Sequence, residues 1–262
     1  MPGPVSIMTF PVPNQARPLF ILGCVRSGTT MVRNLLRRQP DVICPEETHY
    51  FRYGDPFHTP PNDRQLKNTP TLQKHREIDG IQADDFDRLH RQSLTRGELM
   101  CRHVHFMAQS RGLTSYRWFD KTPQNVYGLP LLAAEFPAAR FLHLVRNPLN
   151  VVASLKLGKV IKVTDIQGAC NYWIEAVTIV RQMTPVLEDR LLEIRYEDLT
   201  SSPVANMQKV LAFSDIGERA DLYSAKDTHA ERDQYLRILS EEEQDIVRQR
   251  CRPLAELYGY AL

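Results

Sequence analysis

The sequence predicts an α/β fold of three layers: a mainly parallel central sheet flanked by helices, with a P-loop-like turn after its first strand. Three observations carry this. Short apolar runs, above all Pro18–Leu22 and Phe141–Val145, alternate with segments of helical period, the pattern that a covered parallel sheet produces. A glycine-spaced turn, Gly23 to Gly28, joins the first run to a helix. A later apolar run ends in Arg146 and leads into Pro148, a residue suited to a first helical turn. With 262 residues, 42% of them hydrophobic and 24% charged, the chain can bury a sizeable core, which excludes a disordered tail or a coiled coil.

Residues 1–17 read as a loose leader, and 18–262 as one domain. After the first strand, Thr29 to Arg38 has helical spacing through Met31, Val32, Leu35 and Leu36, and Pro40 stops it. Asp41–Cys44 is a second short strand running into Pro45-Glu46-Glu47-Thr48. From His49 to Gly80 the chain is rich in Pro, Asp, Asn and Arg without clear periodicity, so it reads as a surface excursion of the kind that lines binding sites. Helices are expected over Asp84–Leu94 and Gly97–Ser110, a strand over Tyr116–Asp120, and a proline-bearing helix over Gln124–Phe136. Phe141–Val145 is the clearest later strand. Ile166–Met183 is a one-faced helix through Ala169, Trp173, Ala176, Val177 and Val180. Leu191–Tyr196 is a last strand and Glu241–Tyr258 a closing helix.

A net charge of +2, from 33 Lys+Arg against 31 Asp+Glu, argues against a dedicated nucleic-acid partner. The five cysteines are scattered without a CxxC pair, so no metal set is expected and reduced thiols in a cytoplasmic chain are the reading. No stretch approaches the ~20 apolar residues of a membrane span. A homodimer stays open.

The strongest chemical signal is Gly23-Cys24-Val25-Arg26-Ser27-Gly28-Thr29-Thr30. Its glycines have Walker A spacing, but Thr29 stands where a lysine belongs. Such a turn still aims backbone N–H groups at an anion, aided by the positive end of the next helix. Arg26 can supply the cation, and Ser27, Thr29 and Thr30 offer hydroxyls. A plain glycine turn is the structural alternative. The strand at 141–145 ends in Arg146 rather than a Walker B aspartate, which counts against a Mg²⁺-dependent kinase. Arg146, at a strand's carboxyl end, stands where ligands bind open α/β sheets. Ser154, eight positions on, can share an anion with it. Two stations on one sheet edge suit a ligand with two separated phosphate-like groups.

In these motifs the chain resembles the sulfotransferases that use 3′-phosphoadenosine 5′-phosphosulfate (PAPS). Arg26-Ser27-Gly28-Thr29-Thr30 matches that family's 5′-phosphosulfate loop, Arg146 and Ser154 its 3′-phosphate pair, and Arg195-Tyr196-Glu197-Asp198-Leu199 a family signature that brings Tyr196 to the nucleotide. The resemblance runs from about Pro18 to Pro203. Two segments look most like the tyrosylprotein sulfotransferases. Glu46-Glu47-Thr48 matches their Glu-Glu-Thr, with Glu47 as the base, 21 positions after Arg26; Lys121, in Asp120-Lys121-Thr122-Pro123, matches their lysine beside the sulfate, with Thr for Asp. The histidine of the small-molecule enzymes is missing, because Pro123 follows Thr122. Those animal enzymes are anchored in the Golgi, so a soluble, bacterial member is the expectation here.

The resemblance implies sulfuryl transfer from PAPS to a hydroxyl, most simply a tyrosine in a peptide or protein, leaving 3′-phosphoadenosine 5′-phosphate (PAP) and requiring no metal. Arg26 and Lys121 would stabilise the leaving oxygen, and Glu47 would take the acceptor proton, helped by a raised pKa. Glu46 pairs with a cation or the acceptor backbone. His49, His103 and His105 are rival bases. Arg88, Arg91, Arg96, Arg102, Arg111 and Arg117 are a solvated face or, if they border the cleft, a reader of acidic peptides. A small-molecule or carbohydrate acceptor, a degenerate P-loop kinase and a non-catalytic nucleotide binder are the alternatives.

Overall fold

The protein was analysed as a computed structural model, which describes residues 16–158, 161–228 and 232–262. Five strands, β1 (Leu19–Leu22), β2 (Val42–Ile43), β3 (Arg117–Lys121), β4 (Arg140–Val145) and β5 (Leu191–Arg195), form one sheet in the order β2-β3-β1-β4-β5. Every neighbouring pair is parallel. The helices before β4 are α1 (Thr29–Leu36), α2 (Pro60–Asn68), α3 (Pro70–Ile78), α4 (Ala83–Gln92), α5 (Arg96–Ser110) and α6 (Leu129–Glu135). After it come α7 (Pro148–Lys156), α8 (Ile166–Leu187), α9 (Tyr196–Ser201), α10 (Pro203–Ser214), α11 (Tyr235–Ile238) and α12 (Glu241–Ala255).

The pleat divides β1 between two cores. Leu19 and Ile21 pack with Val32 and Leu35 of α1 and with Met207 and Val210 of α10. Phe20 and Leu22 face the other layer, with Leu99 of α5, Val152 of α7, Trp173 of α8 and Val247 of α12. All four residues of β1 are buried, which is why the strand reads as a continuous apolar run rather than an alternating one. The chain leaves β1 for the edge at β2, returns through β3, then crosses β1 to reach β4. β1 is therefore flanked by strands reached in opposite directions, and the crevice beyond their carboxyl ends is the switch point where such sheets bind ligands.

Several boundaries differ from the sequence reading. The excursion at 49–80 holds α2 and α3, each opened by proline at its start. Their exposed faces are so polar that apolar periodicity could not reveal them. The expected helix at 124–136 is a 3-10 turn, Pro123–Gly128, followed by α6, because Pro130 sits in the first turn of the latter. β5 ends at Arg195 and Tyr196 opens α9. The expected closing helix ends at Ala255 and gives way to a 3-10 turn over Glu256–Tyr258. Of the leader expected over 1–17, residues 1–15 lie outside the described residues, while Ala16 is packed into the core. Among the described residues no helix is long and apolar enough to cross a membrane. All five cysteines are buried and free.

Candidate active site

The glycine turn is shaped by close approach at both ends. Gly23 has φ +145°, and a Cβ there would lie 2.6 Å from the carbonyl oxygen of Leu144 on β4. Backbone cannot give way as a side chain can, so glycine is required. Gly28 has φ +91°, and a Cβ would collide with the ring of Tyr196. Between them Ser27 N–H donates to the Cys24 carbonyl at 3.2 Å, and Arg26 takes a left-handed φ of 73°. That conformation costs about 1–3 kcal/mol in a non-glycine residue and persists where the surroundings impose it. α1 begins after Gly28 with no side-chain cap. The Ser27 hydroxyl is buried with no hydrogen-bond partner among the described residues.

Packing on this turn brings together the residues expected of the second station. Arg146 Nη1 donates to the Arg26 carbonyl at 2.9 Å, and its guanidinium lies 4.5 Å from the centre of the Tyr196 ring. Arg26 Nε donates to Ser154 Oγ at 2.8 Å. Trp173 Nε1 donates to the Arg146 carbonyl at 2.9 Å, tying the end of β4 to α8. Arg26, Ser27, Gly28, Thr29, Thr30, Arg146, Ser154 and Tyr196, far apart in sequence, thus gather at one sheet edge.

A buried carboxyl stitches the other half. Asp120 Oδ1 accepts from Thr48 Oγ1 at 3.0 Å and Thr122 Oγ1 at 3.1 Å, and Oδ2 accepts from Asn125 Nδ2 at 3.1 Å. Thr48 N–H donates to Thr122 Oγ1 at 2.9 Å. Burial pushes the Asp120 carboxyl up to about 7, against the pull of its two hydroxyl donors. This stitch aligns the exit of β2 with the end of β3, so the residues beside it meet. Lys121, 1% exposed, donates from Nζ to Glu47 Oε1 and, at 3.4 Å, to Thr30 Oγ1.

The second oxygen of Glu47 lies 3.5 Å from His49 Nε2. Burial pushes the Glu47 carboxyl up, but the His49 hydrogen bond and the Lys121 charge together outweigh it and hold the group at about 2. This corrects the expectation of a raised pKa. His49 is held below its ordinary value by burial, opposed by Glu47.

Glu47 and His49 open onto a cavity of about 570 Å³ that also takes in Arg26, Thr29 and Thr30. Sequence reasoning missed three of its cationic or titratable walls, Arg52, His75 and Lys162. Arg52 follows Glu47 by five residues and was discoverable from that proximity. His75 arrives from α3 and donates from Nδ1 to the Glu47 carbonyl at 2.9 Å, which no local pattern could indicate. Asp120 was also missed, although it directly precedes Lys121.

Other candidates lie elsewhere. Glu46 pairs with Arg33 on α1 and, at 3.6 Å, with Arg37 just past its end. His103 bridges Asp79 at 3.0 Å and the Tyr50 hydroxyl at 2.6 Å inside the core. His105 sits 3.2 Å from the Tyr116 hydroxyl, beside a different cavity. None of the six arginines between 88 and 117 lines the Glu47 cavity. Arg96 instead clamps the carbonyls of Tyr50, Tyr53 and Asp55.

Known proteins resemble this chain in sequence and in fold. The profile of the sulfotransferase family matches residues 18–219. Protein-tyrosine sulfotransferase A of Caenorhabditis elegans is 27% identical over 213 residues, 78% of this chain and 51% of that protein. The chain thus spans about half the length of that relative. The sulfotransferase domain from the curacin biosynthetic pathway superposes with a TM-score of 0.61 at 18% identity, covering 95% of this chain and 99% of that one. Mouse sulfotransferase SULT7A1, solved with PAP, superposes with a TM-score of 0.50 at 12% identity over 89% and 82% of the two chains. Both structures share the fold.

Proposed function

The chain belongs to the sulfotransferase family, and on that premise we propose that it moves the sulfuryl group of PAPS to the hydroxyl of a tyrosine in a peptide or protein. One observation carries the reading. A buried lysine, Lys121, bridges a carboxylate at the cavity, Glu47, to Thr30 in the first turn of α1, directly after the glycine turn. Base, cation and anion loop therefore share one sheet edge.

The residues fit a doubly anionic nucleotide. The uncapped start of α1 and the Ser27 hydroxyl, which has no partner among the described residues, would supply donors to one anion, while Arg146, Ser154 and Tyr196 would form a second station beside it. The relative solved with PAP supports that choice. The donor supplies an activated S–O bond whose cleavage leaves charge on the bridging oxygen. Arg26 and Lys121 would oppose that charge, with Thr29 and Thr30 as hydroxyl donors. The sulfuryl group carries a single negative charge, so side-chain cations can serve without a metal.

Glu47 would accept the phenolic proton. Held near 2 it is a weak base, kept there by the His49 hydrogen bond and the Lys121 charge together. Once Lys121 turns its charge toward the sulfuryl group, the lysine's share of that support is lost, His49 keeps its own, and Glu47 becomes more basic. The lysine thus links occupation of the anion loop to activation of the base. Arg52 and Lys162 on the cavity wall favour acidic residues around the acceptor tyrosine. The five free, buried cysteines suit a reducing, cytoplasmic compartment, and 18–262 is taken as one domain.

Incubation with labelled PAPS and either an acidic tyrosine peptide or a panel of alcohols and sugars tests the reading. Transfer to the peptide is expected, with Glu47→Gln and Lys121→Ala retaining PAP affinity while slowing transfer about 10²-fold or more. Transfer only to small alcohols would reassign the acceptor, and Mg²⁺-dependent ATP turnover without sulfate transfer would refute the proposal.

A further inference from the structure

Where α2 packs against α4, outside the cavity, three metal-ligand side chains converge. His58 stands in the loop before α2, Asp63 on α2 and His90 on α4, and one ligand atom from each lies within 4.8 Å of the others. His90 is fully buried, yet neither of its ring nitrogens has a hydrogen-bond partner among the described residues. Its Nε2 lies 3.2 Å from Asp63 Oδ1, and that oxygen too lacks a hydrogen bond. The two atoms lie within ion-pair distance but without hydrogen-bond geometry. A buried imidazole left in that state is costly unless something else uses its lone pair.

The spacing matches a shared ion. Two ligands about 2.0 Å from a tetrahedral metal sit about 3.3 Å apart, close to the 3.2 Å seen here. The third ligand is already oriented. His58 Nε2–H donates to the Ser93 carbonyl at 2.7 Å, which leaves Nδ1 as the lone-pair nitrogen. Fixing a ligating imidazole through its far nitrogen is the usual outer-shell arrangement.

We propose that His58, Asp63 and His90 form a three-ligand site for a divalent transition metal, zinc by its donor set, that pins α2 to α4. Two imidazoles and a carboxylate are a known zinc donor set, and water completes the tetrahedron. α3 follows α2 directly and carries Leu72 and His75 into the wall of the Glu47 cavity. The metal therefore braces that wall from behind, alongside the 3.2 Å Lys67–Asp87 ion pair that joins the same two helices. The inference does not depend on the proposed transferase activity.

Untagged, chelator-stripped protein is titrated with Zn²⁺ by calorimetry and with Co²⁺ by visible absorption. One equivalent of each is expected, with Co²⁺ giving the intense bands of a tetrahedral site and Zn²⁺ raising Tm. Losing a ligand should cost at least as much as losing an outer-shell partner, so Asp63→Asn and His58→Ala should each weaken Zn²⁺ binding about 10- to 100-fold or more. Both should also abolish the Tm rise, while His105→Ala leaves both readouts intact. His90→Gln should behave alike, and if it fails to fold the two surface-side variants decide the matter. Failure to bind one equivalent, or binding unchanged in Asp63→Asn and His58→Ala, would overturn the proposal whatever the outcome of the sulfate-transfer assays.

Discussion

Glu47 is held between burial, which favours its neutral form, and two partners, which favour its charge. Its folded pKa of about 2 lies below the ordinary 4.5, so its contribution to stability is complete above about pH 4.5. That contribution drains away as the pH falls toward 2. Acid unfolding followed by circular dichroism should therefore show wild type losing its margin over Glu47→Gln across this window, and a constant margin would contradict the ion pair. On the proposed function the same pair also sets reactivity. In Lys121→Ala the carboxyl keeps His49 but loses its cation, so the acidic limb of the pH–rate profile should move to higher pH. Asp120 acts one step further out. In Asp120→Asn an NH₂ group must face either the two threonine hydroxyls or Asn125. Asn125 cannot simply flip, because its Oδ1 accepts from Phe51 N–H at 3.2 Å. A cost of about 1–3 kcal/mol is expected in urea denaturation, with slower transfer because Glu47 and Lys121 lose their common reference.

At the level of elements, the glycine turn proposed to hold an anion depends on a contact its own residues do not announce. The first residue of α9, Tyr196, fills the space over Gly28. Gly28→Ala should destabilise the protein and weaken PAP binding through two separate terms, the collision with the ring and the left-handed φ. Adding Tyr196→Ala removes the collision but not the backbone strain, so calorimetry should show no better than partial recovery of affinity. α8 contributes in a similar way. Trp173→Phe keeps most of the buried ring but deletes the bond to the Arg146 carbonyl. That should cost about 1 kcal/mol and shift PAP affinity more than that of a nucleotide lacking the 3′-phosphate.

Across the whole molecule, the site is a by-product of strand order. β1 lies between β3 and β4, so the glycine turn of one strand, the lysine of the second and the arginine of the third end side by side. Phe20 anchors that arrangement beneath the sheet, with ring centres of Trp118, Phe136 and Phe141 at 5.9, 5.2 and 5.8 Å. Phe20→Ala should cost about 3–5 kcal/mol in urea denaturation. What was legible beforehand was local. Continuous apolar runs announced β1 and β4, glycine spacing announced the turn, and the pairs Glu47 with Thr48 and Lys121 with Thr122 stood out as motifs. α2 and α3 were not legible, since most of their residues face water and leave little apolar period to read. The role of Asp120 was equally hidden, because a carboxyl's partners are chosen by packing. By itself the sequence determined which segments could be strands and which side chains could meet an anion, both properties of neighbouring residues. Tertiary structure alone decided that Lys121 finds Glu47, that Tyr196 closes on Gly28 and that His75 reaches the cavity. Those contacts depend on strand order and helix packing, which bring together residues whose separation along the chain carries no trace of their proximity.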